Sequence, residues 1–283
     1  NCSAVVGGSF NTASGYISSV VGGDKNIASN PYSFVGGGNL NTASGYISSV
    51  VGGANNMALI DGSVVVGGSN NQAYGGCSAV VGGTLNTASG YCSFVGGGAN
   101  NLSFADGGVV VGGSNNCNES CYSIIGGGLT NCINGSGCNV IVGGCLNTVN
   151  GNNCSSFIGG GCCNCAAATS GRVGQVIVGG SCNVVCSNEG SILGGFGNCV
   201  SGNQSSVVGG VLNSASGFSS FVGGGCKNQA CASYSTVVGG VLNTASGACS
   251  FIGGGVANCV CSTLSIIGSG VFNDITSTGF CSV

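Results

Sequence analysis

An all-β chain folded as a parallel β-solenoid, 18 coils of about 15 residues with two short strands each, is what three features of this sequence predict. The first is self-similarity: copies of the unit at residues 41–56, N-T-A-S-G-Y-I-S-S-V-V-G-G-A-N-N, run along the chain. An Asn anchors each copy after G-G-x-x, at Asn11, Asn26, Asn41, Asn56, Asn71, Asn86, Asn101, Asn116, Asn131, Asn147, Asn164, Asn183, Asn198, Asn213, Asn228, Asn243, Asn258 and Asn273. Spacings are 15 residues, except 16, 17 and 19 between Asn131 and Asn183. So strict a period gives every copy an equivalent place in a stack. The second feature is column identity. Six residues before each anchor stands Val or Ile, three before stands Gly, and two after is usually Ala (Ala13, Ala28, Ala43, Ala88, Ala215, Ala245). The third is length. Fifteen residues are too few for a helix, a strand and two turns, but hold two short strands at roughly 3.3 Å per residue.

Within one coil, the runs S-x-V-x-G and N-T-A-S-G alternate as strands do, and the Gly, Asn and Ser between them supply turns needing positive φ. Stacking at roughly 4.8 Å gives a solenoid about 85 Å long. Stacked anchors can form an Asn ladder, each amide bonding to those above and below. The alternative is that each Asn simply holds a left-handed turn.

The residues seven and five before the anchor flank the Val/Ile column and face the other way. Their sizes compensate. Phe34, Phe94, Phe157, Phe221 and Phe251, with Ile124 and Ile266, are each followed two residues on by Gly. Where the first position is Ala4, Ser19, Ser49, Val64, Ala79, Ser206 or Thr236, the second is Val. Close packing demands such trading, whereas water does not. A coil this small has one interior, which the Val/Ile and Ala columns fill. The second face is therefore expected to be a lengthwise interface between identical chains. Its candidate residues are Phe34, Phe94, Phe157, Phe221, Phe251, Val21, Val51, Val66, Val111, Val208 and Val238. The converse, with the Phe/Val face inside, would also leave an apolar stripe needing cover.

The 283 residues read as one solenoid domain, 1–283, with irregular, Cys-rich longer coils at 131–183. Extra residues there are expected to loop out near 135–138, 151–154 and 167–174. Charged residues make up 3% of the chain against about 25% in an ordinary soluble domain, so much surface is expected to be covered in assembly. A net charge of −3 with scattered cations argues against nucleic-acid partners. No apolar run reaches the ~18 residues of a membrane span, so no membrane insertion is expected. The chain starts at Asn1 without Met, inside a coil, and reads as mature or partial. The pattern is in force at both ends, as in a piece of a longer fibre or a subunit stacking end to end.

Twenty-one cysteines fall in columns. Cys77 with Cys92, and Cys117 with Cys132, lie in adjacent coils at a Cα spacing near 4.8 Å that a disulfide tolerates. Parallel in-register side chains point the same way, however, which favours Cys as a small packing residue. An all-Cys metal site around Cys162, Cys163 and Cys165 is weighed against the same packing role, and no cofactor is expected. The chain has no His, which removes Ser-His-Asp and Cys-His catalysis. Asp61 and Asp106 share a column three coils apart, about 14 Å, too far for paired-carboxylate hydrolysis. No enzyme is expected. Sequons at Asn1, Asn118, Asn134, Asn153 and Asn203 suit exposed turns.

The units S-x-V-x-G-G-x-x-N-T-A-S-G, clearest at residues 3–15, 33–45, 78–90 and 235–247, resemble head repeats of YadA-like trimeric autotransporter adhesins and the G-G-G-x-x-N-T-A-S-G arrays of phage and viral tail fibres. That resemblance implies a left-handed β-roll, three chains around an axis, and an adhesive or fibre role at a cell or virion surface. The expected function is thus an extracellular structural or adhesive fibre or filament subunit. Its partners are itself, as homotrimer or filament, and a host-surface or matrix ligand. Ice binding is the runner-up, although Thr12, Thr42, Thr87, Thr148 and Thr244 make a sparse row.

Overall fold

The computed structural model describes residues 2–151, 154–168 and 174–276. The chain is an all-β parallel solenoid of 18 coils with no helix among the described residues. It divides into two compact units, Asn1–Cys138 and Asn139–Val283, each carrying nine of the anchors. In both units every coil contributes one strand to each of two parallel sheets. In the first unit Ser49–Val50 pairs in register with Phe34–Val35 and Val64–Val65. Thr42–Ala43 likewise pairs with Ile27–Ala28 and Met57–Ala58. A third line is made of single parallel bridges, such as Asn39 with Ala54 and Ala54 with Ser69.

Four columns fill the interior. The Val/Ile column is fully buried from Val20 to Ile125 and from Ile141 to Ile267. The column two after the anchor is buried beside it, from Ala28 to Ile133 and from Val149 to Ile275. The anchor asparagines from Asn26 to Asn258 make the third column. Serines eight before the anchor, such as Ser18, Ser48 and Ser78, make a fourth that the sequence did not announce. Many of these hydroxyls stay satisfied by bonding the turn three residues back, as Ser48 Oγ does to the Gly45 carbonyl at 2.8 Å. Some coils depart from serine in this column, with Asn139 and Gln175 buried there in two of them. Opposite the bulkier Asn118 and Val200, the serine column becomes Gly108 and Gly190. A Cβ on Gly190 would stand 2.8 Å from Val185 and 2.9 Å from Val200.

Turning twice in fifteen residues needs left-handed backbone. Among the described residues, 31 that are not glycine have φ between 50° and 63°, nearly all one before or six after an anchor. They include Ile17, Ile47 and Leu85. Each costs about 1 kcal/mol or more. The ladder explains why they persist. Ordinary strand N–H groups donate forward to the next coil, as Val51 does to Val65 (2.9 Å), whereas left-handed residues donate backward, as Asn55 does to Asn39 (2.8 Å). The flipped peptide keeps each turn bonded to the coil behind it, so strain is exchanged for a satisfied backbone donor.

The three long coils differ in detail. Thr148–Gly151 pairs with Cys165–Ala168 over four residues, so part of the extra length extends strands. The excursion at 135–138 is a bend in which Cys138 N–H donates to the Cys121 carbonyl at 3.0 Å. The other two, near 151–154 and 167–174, fall partly on 152–153 and 169–173, outside the described residues.

Candidate functional site: an exposed apolar stripe

The anchor column is where local sequence and stacking meet. Asn71 Nδ2 donates to the carbonyls of Gly67 in its own coil and Gly83 in the next, both at 2.9 Å. Its Oδ1 accepts the backbone N–H of Asn86 at 3.0 Å. The same three bonds recur at Asn26, Asn41, Asn56, Asn86, Asn183, Asn198, Asn213, Asn228 and Asn243. These amides therefore run mainly to backbone. Direct amide-to-amide bonds occur at Asn116 to Asn101 (3.1 Å), Asn131 to Asn116 (3.2 Å), Asn258 to Asn243 (2.9 Å) and Asn273 to Asn258 (3.0 Å). The column needs glycine three residues earlier. At Gly68 φ is +86°, and a Cβ would sit 2.5 Å from Asn71 Nδ2 and overlap the Gly83 carbonyl oxygen.

The opposite side of the Val/Ile strand carries the predicted interface residues, and they are outside. Val21, Val51, Val66, Val111, Val208 and Val238 are 41–53% exposed, while Phe157 and Phe251 are 37% exposed. Phe34, Phe94 and Phe221 are half-buried. The size trade has a cause within the coil. Each Phe ring lies over the glycine two residues on: the Phe34 ring edge is 3.4 Å from where a Cβ on Gly36 would be, and Phe94 is 3.3 Å from that of Gly96. The ring covers the place that Val takes in other coils, which levels the surface. Each unit thus shows an apolar stripe running along its coils.

The other sequence candidates resolve simply. Cys77, Cys92, Cys117 and Cys132 are free thiols. Cys117 and Cys132 are direct register partners. A hydrogen bond from the Cys117 thiol holds the Cys132 thiol below its usual range, and the same bond, with burial, raises Cys117. Cys162 Sγ lies 3.3 Å from Cys163 Sγ, whose thiol is pushed up to about 11 by that bond. Cys165 stands apart, on a strand with Asn150 Nδ2 at 3.9 Å from its sulfur, so the three do not converge on one ion. Asp61 and Asp106 cap turns, accepting the N–H groups of Tyr46 (2.9 Å) and Tyr91 (2.8 Å). The Asn118 sequon is a correction. Its side chain is fully buried, donating to the Ser123 carbonyl at 2.7 Å, because it falls in the interior column two after an anchor. Asn134 and Asn203 are exposed, while Asn1 and Asn153 lie outside the described residues.

A depression of about 170 Å³ at Asn188, Glu189, Asn203, Gln204 and Phe218 is small beside the ~300–1,000 Å³ of ligand pockets. Among the described residues, no helix is long and apolar enough to cross a membrane. No protein-family model matches the chain, and no curated protein matches its sequence.

Proposed function

We propose that this chain is a structural or adhesive fibre component at an exterior surface, working as an assembly of identical copies joined along the apolar stripe. The supporting observation is that stripe: rows of Val and Phe, levelled coil by coil and open to solvent in the single chain. A monomer seldom presents contiguous apolar surface on such a scale, and identical chains related by symmetry cover it most economically. The low charge content fits the same picture. Within each unit, stacked coils joined by the Asn column and two ladders give stiffness. Repeated Ser, Thr, Asn and Tyr positions offer many weak contacts, which multivalency converts into useful adhesion.

Negative-stain electron microscopy of the purified chain tests this. The wild type should appear as uniform elongated assemblies, trimers or filaments, and Val51→Asp with Val66→Asp and Val111→Asp should give thinner single particles. Wild-type images showing only single-chain particles, identical to the variant, would reject the proposal.

A further inference from the structure

The outer face of the second sheet holds a recurring three-residue arrangement. Residues one and three after an anchor project from the same side of a strand, and residue one of the next coil stacks directly above the first. Positions i, i+2 and i+15 therefore share one patch. In the second unit these are Cys259, Cys261 and Asp274, whose ligand atoms all lie within 4.8 Å of one another. The two sulfurs are 3.4 Å apart, and Cys259 pairs in register with Asp274. In the first unit the same lattice positions hold Cys117, Glu119 and Cys132, but their ligand atoms do not all come within 4.8 Å of one another, so that triangle stays open. The closed triangle contains two thiols and one carboxylate.

We propose that the triangle of Cys259, Cys261 and Asp274 is a binding site for a thiophilic divalent cation of the zinc class. Tetrahedral zinc with bonds of about 2.3 Å to sulfur and about 2.1 Å to oxygen sets ligand edges of roughly 3.8 Å between sulfurs and roughly 3.6 Å between sulfur and oxygen. The observed 3.4 Å edge between the sulfurs needs only a small side-chain movement to meet the first. Mixed thiolate and carboxylate donors suit zinc, whereas calcium and magnesium want oxygen alone. The negative charge is not otherwise neutralised. The one ion pair among the described residues joins Lys25 to Asp24. On binding, each cysteine loses its proton to solvent, both sulfurs and one carboxylate oxygen bond the metal, and a water holds the fourth position. No electron is transferred. Exposure of Cys261 and Asp274 leaves the site open to an incoming ion. Because the site ties one coil to the next, the ion would brace the stack.

The test is zinc competition against a chromophoric chelator, using the reduced full chain without oxygen. Cys261→Ser should remove the one tightly bound equivalent. The near-isosteric Asp274→Asn should weaken the site by about tenfold or more, at least the loss typical of an outer-shell partner. Cys132→Ser, in the open triangle, and Cys249→Ser, an exposed cysteine outside both, should change nothing. Cobalt loaded in place of zinc should show tetrahedral thiolate absorption in the wild type and lose it in Cys261→Ser. A zinc count unaffected by Cys261→Ser, or no tight binding in the wild type, overturns the proposal.

Discussion

Replacing Asn71 by Ala removes three hydrogen bonds at once, but their loss is not equally expensive. The Gly83 carbonyl keeps a second donor, the N–H of Ser69 at 2.9 Å. The Gly67 carbonyl belongs to a half-exposed residue that water reaches. The N–H of Asn86 is different. Asn86 is fully buried, and its amide accepts no substitute for Asn71 Oδ1 at 3.0 Å. Leaving that donor unpaired costs about 1–3 kcal/mol, and the two carbonyl bonds add about 0.5 kcal/mol each. With the small void left by the amide, the expected loss is about 3 kcal/mol. Guanidinium unfolding followed by circular dichroism measures it, and hydrogen exchange at the Asn86 amide localises it. Asn71→Asp carries the argument further. Its carboxylate still accepts from Asn86 but turns its other oxygen on two carbonyls, so burial and repulsion raise its folded pKa above the unfolded ~3.9. The folded state then holds the proton more tightly. That variant should be most stable below pH 4 and should lose stability as pH rises through the raised pKa. An Asn71→Ala loss under 0.5 kcal/mol, with Asn86 exchange unchanged, would refute the assignment of the column as a principal source of stability.

Three further substitutions probe the coil. Gly68→Ala forces a Cβ against Asn71 and the next coil's carbonyl, so it should cost about 4 kcal/mol or more and be read as loss of soluble folded protein. Leu85→Asn should raise the unfolding free energy by about 1 kcal/mol, read as a higher guanidinium midpoint, since Leu85 is left-handed and exposed between Asn70 and Asn100. Those residues belong to the short amide chains Asn55 to Asn70 (2.6 Å) and Asn100 to Asn115 (2.8 Å), which a new Asn would join. Ser48→Ala should cost about 1 kcal/mol because its hydroxyl bonds Gly45, while Ser93→Ala should be neutral or stabilising because its buried hydroxyl has no partner. Equal effects of the two serine substitutions in thermal unfolding would remove the distinction.

The period, the two sheets and the Val/Ile interior were legible because one equivalent position repeats 18 times, and any column under packing constraint shows itself. The serine column was not, since Ser eight before an anchor looks like solvent-facing strand residue until the turn carbonyl beside it is seen. Leu85 and Ile47 mislead in the other direction. Their apolar character suggests core, yet hydrogen-bond direction puts them at left-handed corners in solvent. The trade between Phe34 and Gly36 was visible, but its immediate cause is a ring lying over its own coil. Asn118 reads as a glycosylation sequon only when its place two after Asn116 is ignored. Cys117 and Cys132 were legible as neighbours, whereas the meeting of Cys259, Cys261 and Asp274 shows only once strand facing and stacking are combined.

Sedimentation equilibrium of the purified chain weighs the apolar stripe most directly. Copies joined along Val51, Val66 and Val111 give a mass that is a multiple of 26.8 kDa and falls to that of one chain when these three become Asp. A wild-type protein that stays soluble at 26.8 kDa across a wide concentration range contradicts it.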